Sequence, residues 1–158
     1  MNWTKWQSIT LANVPSTKKS GVYEIRLMDR NSKPRSTHRL LKKDTDGVLY
    51  IGCTVDLKYR MITRFLKSLD RGNGHVAGNR LAKWSKAGKI NFVNENFEYR
   101  YRDVPKNKLK VEEKKELRNY ESNYGQFPAL NRIWPIDAQS DVSGRHFSHE
   151  IEYEPEDE

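Results

Sequence analysis

The chain has 158 residues, 35% of them hydrophobic and 32% charged, with 4 Trp, 8 Tyr and 5 Phe; this suffices for one globular domain with an aromatic-rich core and leaves little room for a second domain. No apolar run approaches the roughly 20 residues of a membrane span, the first residues lack the apolar stretch of a secretory signal, and the single cysteine excludes an intramolecular disulfide or a multi-cysteine zinc site, so a reducing cytoplasm is expected. The net charge of +8 points to a polyanionic partner such as a phosphate backbone.

Residues 21–27 alternate apolar and polar side chains and predict a strand with one buried face, with Tyr23 close behind Gly21. Residues 28–47 form an insertion with two turn signals, Asn31-Ser32-Lys33-Pro34 and Asp44-Thr45-Asp46-Gly47, and an extra strand at 37–42. It carries Arg30, Lys33, Arg35, Arg39, Lys42 and Lys43, which either follow a nucleic-acid backbone or are solvated loop charge. Residues 48–52 predict a second strand, Leu49-Tyr50-Ile51-Gly52, and Cys53 after it reads as a small packed hydrophobe.

Leu57, Met61 or Ile62, Phe65 or Leu66, and Leu69 make a helical apolar stripe, with Thr54 or Asp56 as its cap and Gly72 and Gly74 as its stop. Arg60 and Arg64 lie one turn apart on that helix, where both can converge on one phosphate region, and Lys58 adds to the charge. A second helix is expected over 75–87, starting at His75 and carrying Arg80. The alternation of residues 97–102 predicts a third strand, and a long helix over 106–124 should end at Gly125, with Pro128 preventing its return. The expected architecture is a small single α/β domain, a roughly three-stranded mixed or antiparallel sheet flanked by about three helices, over residues 1–136. Residues 137–158 are expected to be an irregular acidic tail. Six of the 21 acidic residues lie in the last nine positions, leaving 15 acidic against 29 basic groups elsewhere.

Taken in order, Gly21-Val22-Tyr23, Tyr50-Ile51-Gly52, Arg60, His75, Glu116 and Asn131 resemble the signature of the GIY-YIG nuclease superfamily, and the resemblance spans residues 21–131. It implies that Tyr23 lies near an attacking water with Tyr50 in support, that Arg60 contacts the phosphate, and that His75 protonates the leaving oxygen or binds phosphate. It also implies that Glu116 holds one divalent ion, Mg²⁺ or Mn²⁺, with Glu121 as its rival on the same helix, and that Asn131 closes the site's edge. Arg64, Lys58, Arg39, Lys42 and Arg80 are the expected nucleic-acid contacts. Two departures stand out. Several family members have histidine four residues after the helix arginine, where this chain has Arg64, which cannot serve as a base; and the insertion at 28–47 separates the two signature strands. The expected function is a metal-dependent DNA endonuclease, monomeric or homodimeric. A noncatalytic nucleic-acid-binding module and a protein-interaction domain with an acidic partner are the other readings.

Overall fold

Four strands account for the centre of the molecule: β1 (Gln7–Ser8), β2 (Gly21–Leu27), β5 (Val48–Thr54) and β6 (Phe97–Asp103), with the small β3 (Thr37–His38) and β4 (Lys43–Asp44) paired separately. The computed structural model describes residues 2–92 and 96–131. The main sheet is antiparallel throughout, in the order β1-β6-β2-β5. It has one strand more than expected, because the two-residue β1 pairs Gln7 with Tyr99 and Ser8 with Glu98.

All seven residues of the central β2 are buried, where the alternation predicts only one buried face. The difference arises because both faces are covered. On one face Tyr23, Ile25, Leu27, Phe97 and Tyr99 pack against Met61, Phe65, Leu69, Ala77 and Leu81. On the other, Val22, Val48 and Ile51 pack against Leu109 and Tyr120, with Trp3, Trp6 and Leu117 at the margin. The polar residues of β2 therefore point into this second layer and need partners there. Glu24 pairs with Arg100, and Arg26 pairs with Glu98 through a 2.7 Å contact while stacking 4.2 Å from the Trp6 ring centre.

The first layer is built by a π-helical stretch, Tyr59–Leu66, running directly into α1 (Lys67–Arg71), and by α2 (Val76–Lys86). The sequence predicts an ordinary helix here; its cap is Asp56, whose Oδ1 accepts from the Tyr59 N–H at 3.0 Å. A single 3₁₀ turn, Lys106–Lys108, leads into α3 (Leu109–Tyr124) on the other face, and α3 stops at Gly125 with a left-handed φ of 76°. Glu113 meets Cys53 while Tyr120 lies by the β4–β5 junction, so α3 runs opposite to β5.

The insertion folds into a hairpin tied to α3. Asp44 is wholly buried, and its carboxylate accepts from the Gly47 and Val48 N–H groups, both at 2.9 Å, and from the Tyr120 hydroxyl at 2.6 Å. Arg39 donates to the Tyr120 hydroxyl at 3.0 Å and to the Val48 carbonyl at 3.1 Å. Its guanidinium therefore serves the interior, while Lys42 sits 5.2 Å from the Tyr124 ring centre. The boundary expected at 136 and the acidic tail lie outside the described residues. Among those residues, no helix is long and apolar enough to cross a membrane.

Candidate active site

Strand register brings the two signature tyrosines together. Tyr23 lies opposite Gly52 across β2 and β5, and Tyr50, two residues before Gly52, shares its face. The ring centres are 6.0 Å apart. They can meet only because residue 52 has no side chain: a Cβ there would fall 2.6 Å from Tyr50 Cε1 and 2.8 Å from the Tyr23 hydroxyl.

His75 completes the cluster from the N-terminus of α2, where its extended φ of −136° precedes the helix. Its ring meets Tyr50 and Phe65 edge-on, at 5.1 and 5.3 Å between centres, and its Nε2 lies 3.0 Å from the Tyr23 hydroxyl. Tyr23 is 1% exposed and His75 2%, so this is a buried hydrogen bond. Burial, with the charges of Arg60 and Arg64 added, lowers the His75 pKa to about 3 and keeps the imidazole neutral. Burial and the neighbouring Tyr50 push Tyr23 well above the usual phenol range, against the pull of Arg60. Tyr50 is pushed up to about 12 by burial and by Glu113, opposed by Arg60 and by a hydrogen bond from Tyr23. Imidazole and phenol are both neutral and share one hydrogen bond, across which either can donate according to the ring tautomer, while the other ring nitrogen, Nδ1, is buried without a partner.

Arg60 and Arg64 both come from the π-helical stretch. Such insertions are rare and concentrate at functional sites. The charges of Arg60 and Arg64, both carried by this stretch, act on the His75 imidazole. Lys58 is exposed at the start of the same stretch. Arg80 donates to the Leu130 carbonyl at 3.2 Å and so steadies the segment that carries Asn131.

The glutamates of α3 divide differently from expectation. Glu116 is bound to Arg102 at 2.8 Å, and the same Arg102 nitrogen holds Glu112 at 2.7 Å. Arg102 stands opposite Val22, on the sheet face away from Tyr23 and His75, so Glu116 is not brought to the tyrosines. Glu113, three residues earlier, is the carboxylate whose charge raises Tyr23, Tyr50 and Cys53. Its Oε2 accepts from the Cys53 thiol at 3.2 Å and from Lys110 at 3.4 Å. Burial and Glu113 push that thiol up to about 12, which leaves Cys53 unsuited to nucleophilic work. Glu121 lies roughly 12 Å farther along the helix axis than Glu113. Helical spacing marks all four glutamates alike; the clue that separates them is the antiparallel pairing of α3 with β5, which puts residue 113 beside Cys53.

Asn131 acts on the backbone. Its Oδ1 accepts from the Ile51 N–H at 2.9 Å and its Nδ2 donates to the Ile51 carbonyl at 2.8 Å. With Leu130 N–H bonded to the Leu49 carbonyl at 2.9 Å, this segment closes the free edge of β5 on either side of Tyr50.

Comparison of the chain with models of protein families, with curated proteins and with solved structures returns no match.

Proposed function

We propose that the chain is a divalent-metal-dependent DNA endonuclease of the GIY-YIG kind, cutting phosphodiester bonds by attack of water. The observation that carries this reading is the Tyr23 hydroxyl held 3.0 Å from a neutral buried imidazole, with Tyr50 alongside and two arginines acting on the same ring.

The chemistry assigned to the residues is this. The Tyr23 oxygen takes the proton of the attacking water as its own proton passes to His75 Nε2, so no free phenolate forms and the imidazole ends protonated. Negative charge building on the phosphate offsets the repulsion between that imidazolium and the arginines. Arg60 neutralises the phosphate oxygens. His75, reached from a different chain segment, thereby takes the base-partner role that Arg64 cannot fill at the position where several family members carry histidine.

The metal ligand fits Glu113 better than Glu116. Arg102, with a side chain only 11% exposed, already occupies Glu116, and a second cation there would be repelled. Glu113 is opposed by Lys110, whose side chain is 87% exposed and free to swing away. Among the described residues no three His, Cys, Asp or Glu side chains converge to hold a metal, which suits an ion bound through one carboxylate, waters and substrate oxygens. Bound there, Mg²⁺ would neutralise the oxyanion and the leaving oxygen.

The deep burial of Tyr23 and His75 favours one other reading, a noncatalytic DNA-binding domain that keeps the pair as core. Plasmid cleavage with Mg²⁺ and with chelator separates the two. The nuclease reading predicts Mg²⁺-dependent cleavage that Glu113→Gln reduces by about 100-fold or more, as for loss of a charge-stabilising group in a transition state. Glu116→Gln should lower stability and spare most of the rate. The reverse order would return the metal to Glu116, and absence of cleavage on any duplex would leave only the binding reading.

A further inference from the structure

We propose that the β3–β4 hairpin is a rigid wedge that presses Leu40 and Leu41 into a base step of duplex DNA a few base pairs from the cut; this rests on the DNA-nuclease reading above. Leu40 and Leu41 are adjacent at the hairpin tip and 76% and 65% exposed, the most exposed pair of large apolar side chains among the described residues. Solvated loops do not ordinarily carry such a pair on a fixed support. This support is fixed. Buried Asp44 ties the hairpin's return to Gly47, Val48 and Tyr120, Arg39 ties its tip to Tyr120 and Val48, and the Leu41 N–H bonds the Tyr124 carbonyl at 3.1 Å. The tip rests on the end of α3 so closely that a Cβ at Gly125 would fall 2.8 Å from Leu41 Cγ. A protrusion already ordered loses little freedom on binding.

Charge selects the occupant. Lys42 and Lys43 directly follow the leucines and are exposed, as are Arg30, Lys33 and Arg35 elsewhere in residues 28–47, where Asp46 is the exposed acid. A two-fold interface between copies centred on this tip would set Lys42 and Lys43 against their own counterparts, which like-charge repulsion opposes. A phosphate backbone meets the same cations favourably, and leucine is among the side chains that proteins drive between base steps. Position agrees. Tyr120 is level with Val48, and the tip lies just past the end of α3, so Leu40 is on the order of 15 Å from Tyr50 along the strand direction. That is about four steps of duplex DNA.

The test uses the full chain with short mixed-sequence duplexes in chelator, reading binding by anisotropy and bending by energy transfer between the duplex ends. The wild type should bend the duplex by roughly 20–90° on binding. Leu40→Ser/Leu41→Ser should keep its melting temperature and bind within about threefold, since phosphate contacts dominate affinity, yet leave the duplex straight. Tyr120→Phe, which keeps both leucines but removes the hydroxyl bridging Asp44 and Arg39, should bend less. Binding without bending, or equal bending by the serine variant, overturns the wedge and leaves the nuclease reading standing. No binding by the wild type to any duplex overturns both. A serine variant that loses a dimer present in the wild type, read by sedimentation, overturns the wedge in favour of a second copy.

Discussion

At Gly52, Tyr23 and His75 the distances leave little freedom for substitution. An alanine at 52 would put its Cβ 2.6 Å from Tyr50 Cε1 and 2.8 Å from the Tyr23 hydroxyl, so one ring must move. Gly52→Ala is expected to cost roughly 1–3 kcal/mol in denaturant unfolding. It should cost more in function, on the order of 100-fold in single-turnover cleavage, because a shift near 1 Å misplaces the reacting groups. Equal rates for the variant and the wild type would show that Tyr23 and Tyr50 need not be held in this arrangement. The buried imidazole gives a second prediction. Its pKa is about 3 when folded against 6.5 when free, so between those values the unfolded chain binds a proton that the folded chain refuses. The stability tied to neutral His75 is therefore fully present above 6.5 and lost as pH falls toward 3. Urea midpoints measured across that range should show the advantage of the wild type over His75→Gln shrinking as the solution is acidified. A difference independent of pH would mean that His75 is not held neutral in the fold.

At the scale of elements, legibility followed periodicity. The strands expected at 21–27 and 97–102 are visible because their residues alternate, the one at 48–52 as a short extended run beside a glycine, and α3 because Gly125 and Pro128 mark its end. Three features were not visible, each for a physical reason. Two residues pairing at β1 carry no pattern. Apolar residues at 57, 61, 65 and 69 recur every fourth position, a spacing that α and π turns accommodate alike, so the sequence predicts helix and stays silent on its pitch. The extra strand expected at 37–42 is present only as β3 at Thr37–His38, and residues 39–42 turn back into β4 because Arg39 and Asp44 are drawn inward to Tyr120. In the site, His75 was readable from its place after the glycine turn, whereas the placing of Glu113 beside Cys53 depends on a register between helix and strand that no local pattern encodes. Asn131 was readable as a residue, but its partner was not, since the Ile51 backbone lies 80 positions away. Asn131→Ala removes both bonds to that edge and is expected to lower stability by roughly 1–3 kcal/mol. As a positioning residue it should reduce kcat more than it raises KM; an unchanged kcat would limit its role to stability.

Across the whole molecule, the sheet separates two kinds of work. The face toward α2 holds the phenols and imidazole with two arginines, and the face toward α3 holds paired charges: Glu24 with Arg100, Arg26 with Glu98, and Arg102 with Glu112 and Glu116. Glu113 meets β5 at Cys53. In the proposed reaction Tyr23, aimed by His75, moves the proton of the attacking water. Its most direct test is single-turnover cleavage of plasmid in Mg²⁺ by the wild type and by Tyr23→Phe, with DNA binding followed in chelator on the same preparations. The phenylalanine variant is expected to fold and bind DNA as the wild type does and to lose cleavage by about 100-fold or more, the usual contribution of a positioned proton-transfer group. Cleavage by Tyr23→Phe at the wild-type rate would contradict it.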